Sequence, residues 1–268
     1  MIRKNTNLPV LWDSHRVVLI SGVALLIPLI VLMIGRGLAM ITSLGLMVVL
    51  ALVWQLLFTK LQQRSFSWDC LNTALLFVML VPENTPYWQQ ALALSLGIVM
   101  GDLIFGERGR SFLNPVAVGL AFLLFSFPAD LPATSNLTVS IAAIFSGVLL
   151  LLTGLLSWRI VVSFLVLTTL FVTLLTEPAN LLLLLSSSLI LGLVFLIGDP
   201  VAAASTNVGR WIYGALAAVL VVILGANGAG AGSLASMVFA ALLLSIFAPL
   251  IDQVIIWANV RRRQRRQV

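Results

Sequence analysis

Ten apolar runs follow one another between Val17 and Trp257, with only short polar stretches between them. Runs of about 20 residues match the ~30 Å of hydrocarbon that an α-helix crosses at ~1.5 Å per residue. Their approximate limits are 17–35, 38–58, 70–82, 87–106, 115–128, 136–156, 159–176, 180–197, 209–225 and 233–257. The third and fifth are short for a full crossing. The third closes at Val81-Pro82 and the fifth opens at Asn114-Pro115. Composition agrees: 61% of residues are hydrophobic, 9% are charged, and mean hydropathy is +1.14, beyond what a soluble domain needs. The expected fold class is an all-α polytopic membrane protein, one transmembrane domain over residues 1–268. The first run belongs to the series rather than to a cleaved signal peptide, since it lacks a short apolar core with a small-residue cleavage site.

The basic residues orient the chain. With the N-terminus inside, Arg3, Lys4, Arg16, Lys60, Arg64, Arg108, Arg110, Arg159, Arg210 and the five arginines of Arg261–Arg266 share the cytoplasmic side, and only Arg36 lies outside. Fourteen against one follows the positive-inside rule, with both termini cytoplasmic. The basic tail 258–268 follows an apolar helix, so it reads as an anchor at the lipid bilayer, able to touch anionic lipid, and not as a nucleic-acid site. Trp12, Trp68, Trp88, Trp158, Trp211 and Trp257 stand near span ends as an aromatic belt.

An internal echo points to a repeat. Ala74–Pro82 is similar to Leu193–Pro200, and Val118–Pro128 to Phe239–Pro249, each an apolar run closed by proline. The closing prolines are 118 and 121 residues apart. Members of each pair are five spans apart, so the copies, about 17–128 and 136–257, are expected to be inverted in the membrane. Interrupted helices at matching positions of inverted repeats point to a central site.

Polar groups at such interruptions are costly in hydrocarbon unless they line a cavity or hold a ligand. The leading candidate is Gly198-Asp199-Pro200, with Ser205, Thr206, Asn207 and Arg210 close behind. Asn114-Pro115 and Asp199-Pro200 both have the order N-cap then proline at N1, which predicts two helix starts on the cytoplasmic side. Asp102 and Asp252 are intramembrane carboxylates and so candidates for an ion or proton pathway, although each could instead pair with a nearby arginine, Arg108 or Arg110 for Asp102. Gly147, Gly154 and Ser186–Ser188 read as helix-packing positions.

Other chemistry is excluded. One cysteine, Cys70, and one histidine, His15, cannot supply a four-cysteine cluster or bis-histidine haem from this chain alone, and no metal site is expected. There is no P-loop, no Gly-x-Ser-x-Gly and no His-Glu-x-x-His.

Phe105-Gly-Glu-Arg-Gly-Arg-Ser-Phe-Leu-Asn-Pro115, Val118-Gly119 and Phe125–Pro128 resemble the RnfD/NqrB family. RnfD belongs to the ion-translocating Rnf electron transport complex, and its homologue NqrB to the sodium-pumping NADH:quinone reductase. Gly198–Val201, Ser205–Asn207, Gly209-Arg210 and Tyr213–Leu216 resemble the same family's second hallmark. Pro249–Asp252, Asn72–Leu76 and Pro82 fit its last and third helices. The resemblance covers most of the chain, in order. It implies ten helices in an inverted five-plus-five arrangement similar to urea transporters. It further implies an integral subunit, in the bacterial inner membrane, of a flavin-dependent electron transport complex coupled to sodium or proton movement. The implied cofactor is a non-covalent flavin (riboflavin or FMN), with a quinone in one branch, near the cytoplasmic breaks at Asn114, Asp199, Ser205, Thr206 and Arg210. The implied partners are other membrane, flavin and iron–sulfur subunits.

The chain departs from that pattern in one loop. Relatives carry a long external insertion after the fifth helix, with a motif of the Asp-x-x-Ser/Thr-Gly-Ala-Thr type whose threonine is esterified to FMN. Here the loop is about Ala129–Ser135, and Asp130–Thr134 lacks the Ser/Thr-Gly pair, so covalent flavinylation at Thr134 is not expected. Three readings stay open at this point: a redox subunit, a small-solute or ion transporter or channel on the same fold, and a scaffold subunit without a site of its own.

Overall fold

The computed structural model describes residues 14–63, 66–105, 111, 113–128, 136–175, 184–226 and 232–264. Among these residues the fold is all helix, in ten α-helices. They are α1 Ser14–Arg36, α2 Leu38–Gln62, α3 Asp69–Leu80, α4 Tyr87–Ile98, α5 Pro115–Ser126, α6 Leu137–Leu152, α7 Trp158–Leu175, α8 Ser187–Leu191, α9 Asn207–Gly225 and α10 Leu234–Gln264. α4 and α8 each continue into a π-helical segment, Val99–Leu103 and Gly192–Ile197. Four helices are long and apolar enough to cross a membrane alone, within α1, α2, α9 and α10. The protein is a multi-pass membrane protein.

Side-chain bonds fix which helix ends meet at each face. At one face Asn72 of α3 donates to the Val18 carbonyl of α1, Gln62 of α2 to the Leu103 carbonyl, and Arg159 of α7 to Asn207 of α9. α10 ends at this face with Arg261, which we call the basic face. At the opposite face Arg36 pairs with Glu83 at 2.9 Å, Thr42 meets Tyr87 at 3.0 Å, and Ser188 donates to the Gly232 carbonyl. Arg16, Lys60, Arg159, Arg210 and Arg261 therefore lie toward the basic face and Arg36 at the other, as the charge pattern required.

Neighbour relations run in parallel through the two halves. α1 packs on α3 as α6 packs on α8; α4 packs on α5 as α9 packs on α10; α2 packs on α4 as α7 packs on α9. Across the halves α1 meets α6 and α5 meets α10. Glycines bring these pairs close. A Cβ at Gly97 would stand 2.5 Å from the Pro115 carbonyl oxygen, and one at Gly119 2.7 Å from that of Ala93. Gly97 and Gly101 of the α4 run face Pro115 and Gly119 of α5, a small-residue seam that allows backbone contact without a hydrophobic driving force.

Three local expectations change. Asp199-Pro200 does not start a helix: α9 begins at Asn207 behind the N-cap Thr206, because Asp252 holds Ser205 and Thr206 in extended backbone. Pro249 does not close a helix but lies inside α10, which also runs into the tail as far as Gln264. A transmembrane helix tolerates the missing donor when neighbours absorb it, and arginine has high helix propensity. Gly154 is a turn residue at φ 75°, ending α6 at Leu152, rather than a packing position.

Replacing Gly97 by alanine is expected to cost about 1–3 kcal/mol by overpacking, seen as a lower Tm in detergent. Gly45→Ala, where a Cβ meets nothing within 4 Å, is expected to be neutral or to gain up to about 1 kcal/mol.

Candidate functional site

α5 begins on the basic face with an N-cap that does two jobs. Asn114 has extended backbone, and its Oδ1 accepts from the backbone N–H groups of Val116 at 3.0 Å and Ala117 at 3.3 Å. Pro115 at N1 has no N–H to satisfy, so the first turn is complete. The amide nitrogen of Asn114 points the other way. It donates to Asp199 Oδ2 at 3.1 Å and to the Phe195 carbonyl at 3.4 Å. Phe195 lies in the π-helical segment Gly192–Ile197, which closes with Gly198 N–H on the Leu193 carbonyl. Asp199 Oδ1 accepts from Val201 N–H, turning the chain away from α8. One buried asparagine thus joins the start of α5 to the end of α8.

A cleft opens on this junction. Asn114, Asp199 and Asp102 line it, together with Asp69, Asn72, Thr73 and Ser111. Its apolar walls come from Leu25, Leu76, Leu155, Leu156, Val194 and Phe195. About 720 Å³ of space lies between these walls, including the open mouth, and about 60 Å³ is wide enough for water. Asp102 sits in the first π-helical segment, Val99–Leu103, and is buried. Both π-helical segments therefore end at the same cleft, a placement common for π-bulges at functional sites. Arg108, Arg110 and Thr134 lie outside the described residues.

Ser205, Thr206, Arg210 and Asp252 do not line this cleft. They form a second cluster. Asp252 Oδ2 accepts from Ser205 N–H at 2.7 Å and Oγ at 2.9 Å; its Oδ1 accepts from Thr206 N–H at 3.1 Å and Oγ1 at 2.6 Å. The carboxylate of α10 thereby clamps the entrance of α9. Thr206 Oγ1 accepts from Gly209 N–H, and a Cβ at Gly209 would collide with that hydroxyl and with Asp252. Arg210 Nε donates to the Ala204 carbonyl and closes the loop behind. Sequence reading did not find the Asn114–Asp199 bond, the π-helical segments, or the role of Asp69 and Asn72 at the cleft. The polar pair Asp69 and Asn72 at the start of an apolar run was the available signal.

A second cavity opens at the other face, where α3 stops at Val81. It has about 380 Å³ wide enough for water, and Arg36, Ser43, Glu83, Tyr87 and Gln90 line it. Ser43 Oγ donates to Gln90 Oε1 at 2.6 Å, and Gln90 Nε2 to the Thr85 carbonyl at 2.8 Å.

A family profile described as NQR2, RnfD, RnfE matches residues 11–137 and 131–261. The chain belongs to this family. The NqrB protein of the Na(+)-translocating NADH-quinone reductase of Ectopseudomonas mendocina (strain ymp) is 30% identical over 269 residues, covering 80% of this chain and 66% of that protein. The proteins of the same name from Pseudomonas aeruginosa (strain LESB58) and Haemophilus influenzae (strain PittEE) are 29% and 26% identical, covering 78% and 80% of this chain and 65% and 66% of theirs. The chain thus spans about 65% of the length of these family members.

Asn114→Ser keeps a cap acceptor and loses the bond to Asp199, whereas Asn114→Ala loses both. The alanine variant is expected to be less stable than the serine variant by about 1 kcal/mol in chemical denaturation. Asp252→Asn turns an amide N–H toward donors now served by a carboxylate. It is expected to cost about 1–3 kcal/mol and to speed proteolysis between residues 199 and 206.

Proposed function

We propose that the chain is the membrane-embedded subunit of a flavin-dependent electron transport complex in the bacterial inner membrane, with the basic face and both termini in the cytoplasm. It relays electrons between partner subunits through a non-covalent flavin or a quinone in the Asn114–Asp199 cleft, and the full complex couples this to ion movement. Family membership and the names of the relatives support the class of complex. The charge distribution supports the orientation. The parallel neighbour relations of the two halves support the inverted repeat.

The observation that carries the site is the convergence of both π-helical segments and the α5 N-cap on one cleft. Its chemistry fits a flavin ring. Leucine, valine and phenylalanine walls suit the flat apolar body, Thr73 and Ser111 hydroxyls can donate to its carbonyl edge, and a carboxylate can accept its ring N–H. The bound group would supply one- and two-electron transfer. The protein's own part is orientation: Asn114 holds Asp199 in place, and the buried walls limit access of water. The cleft is narrow, so a ring enters as Leu155 and Leu156, on the turn after Gly154, give way. The transporter reading draws on the two cavities, which lie at the two ends of α3.

Protein purified from cells supplied with riboflavin is expected to carry extractable flavin at close to one per chain. Asp199→Ala is expected to reduce retention at least tenfold while the helical circular-dichroism signal persists. A colourless wild-type preparation, with no flavin or quinone on extraction, would overturn the proposal, and Asp199-dependent solute flux in proteoliposomes would favour transport.

A further inference from the structure

Arg159 and Arg210 stand at the perimeter of the basic face, away from the cleft. Arg159 Nη1 donates to Asn207 Oδ1 at 2.9 Å, while its guanidinium lies 5.2 Å from the Trp158 ring centre. Arg210 follows Asn207 by three residues and so stands on the same side of α9. Among the described residues, no hydrogen bond uses Arg159 Nε and Nη2 or the two Nη groups of Arg210. The nearby carboxylate, Asp252, is already met by four donors from Ser205 and Thr206. Trp158 and Trp211 meet edge to face at 5.7 Å beside the arginines. The surrounding surface is apolar and open: Trp158 is 54% exposed, Val208 56% and Ile212 45%. A tryptophan pair on an apolar perimeter marks the level of the lipid headgroups. α10 continues nine residues from Asp252 to Arg261, about 13 Å further along its axis at ~1.5 Å per residue. The two arginines therefore sit nearer the hydrocarbon than the basic tail does.

We infer that Arg159, Arg210 and Asn207 form a site for the phosphate headgroup of an anionic phospholipid, with Trp158 and Trp211 flanking its acyl chains. Two guanidiniums with open donors match a phosphate by charge and by paired N–H geometry. The apolar surface around them selects a lipid-borne phosphate over a free one. The site is independent of the flavin reading, since none of its residues lines the cleft.

The test is native mass spectrometry of the full chain released from nanodiscs of phosphatidylglycerol mixed with phosphatidylcholine. Wild type is expected to retain phosphatidylglycerol at least fivefold over its share of the mixture. R159Q/R210Q is expected to lose that enrichment, R159K/R210K to keep part of it, and glutamine replacement of the five tail arginines to leave most of it. Absence of enrichment in wild type overturns the inference without any variant. Enrichment that follows the tail instead of Arg159 and Arg210 also overturns it, as does equal stabilisation by inorganic phosphate in detergent.

Discussion

The Asn114 side chain is the joint on which the basic-face half of the structure depends. A helix that starts within a membrane leaves N–H groups with no water to satisfy them. Asn114 meets two of these with one oxygen and spends its amide on Asp199 and the Phe195 carbonyl. A residue with an acceptor alone would cap α5 and leave the end of α8 untied. Because these partners belong to different halves of the chain, one side chain holds both halves in register where the cleft opens.

The second constraint is charge held by donors. Asp252 on α10 is met by two backbone N–H groups and two hydroxyls of Ser205 and Thr206. A carboxylate so placed acts as an N-cap supplied by another helix, and it explains why α9 starts at Asn207 and not at Pro200. The stretch from Asp199 to Thr206 is thus fixed at both ends, by Asn114 at one and Asp252 at the other. The cleft has a defined wall although that wall is not helical.

Much of this was legible in the sequence. The apolar runs located all ten helices, and the basic residues sorted their ends, since both signals depend on bilayer thickness and charge alone. The short third and fifth runs were visible as α3 and α5. The helix start at Asp199-Pro200 was misread because the same Asx-Pro grammar serves a turn when a distant carboxylate captures the following N–H groups. The π-helical segments were hidden because a π turn changes hydrogen-bond register without changing hydropathy. Gly154 was misplaced because a left-handed turn and a packing glycine look alike in sequence. Ser205, Thr206, Arg210 and Asp252 were picked as polar and intramembrane; the fold collects them into a clamp beside the cleft.

The central claim is that the Asn114–Asp199 junction forms the cofactor-binding wall of the protein. An electron-cryomicroscopy map of the chain prepared with its flavin tests it most directly. The account predicts planar density against Asn114, Asp199 and Phe195, with Leu155 and Leu156 displaced outward. Flavin density in the opposite-face cavity beside Arg36 and Gln90, with the Asn114 cleft closed, would contradict it.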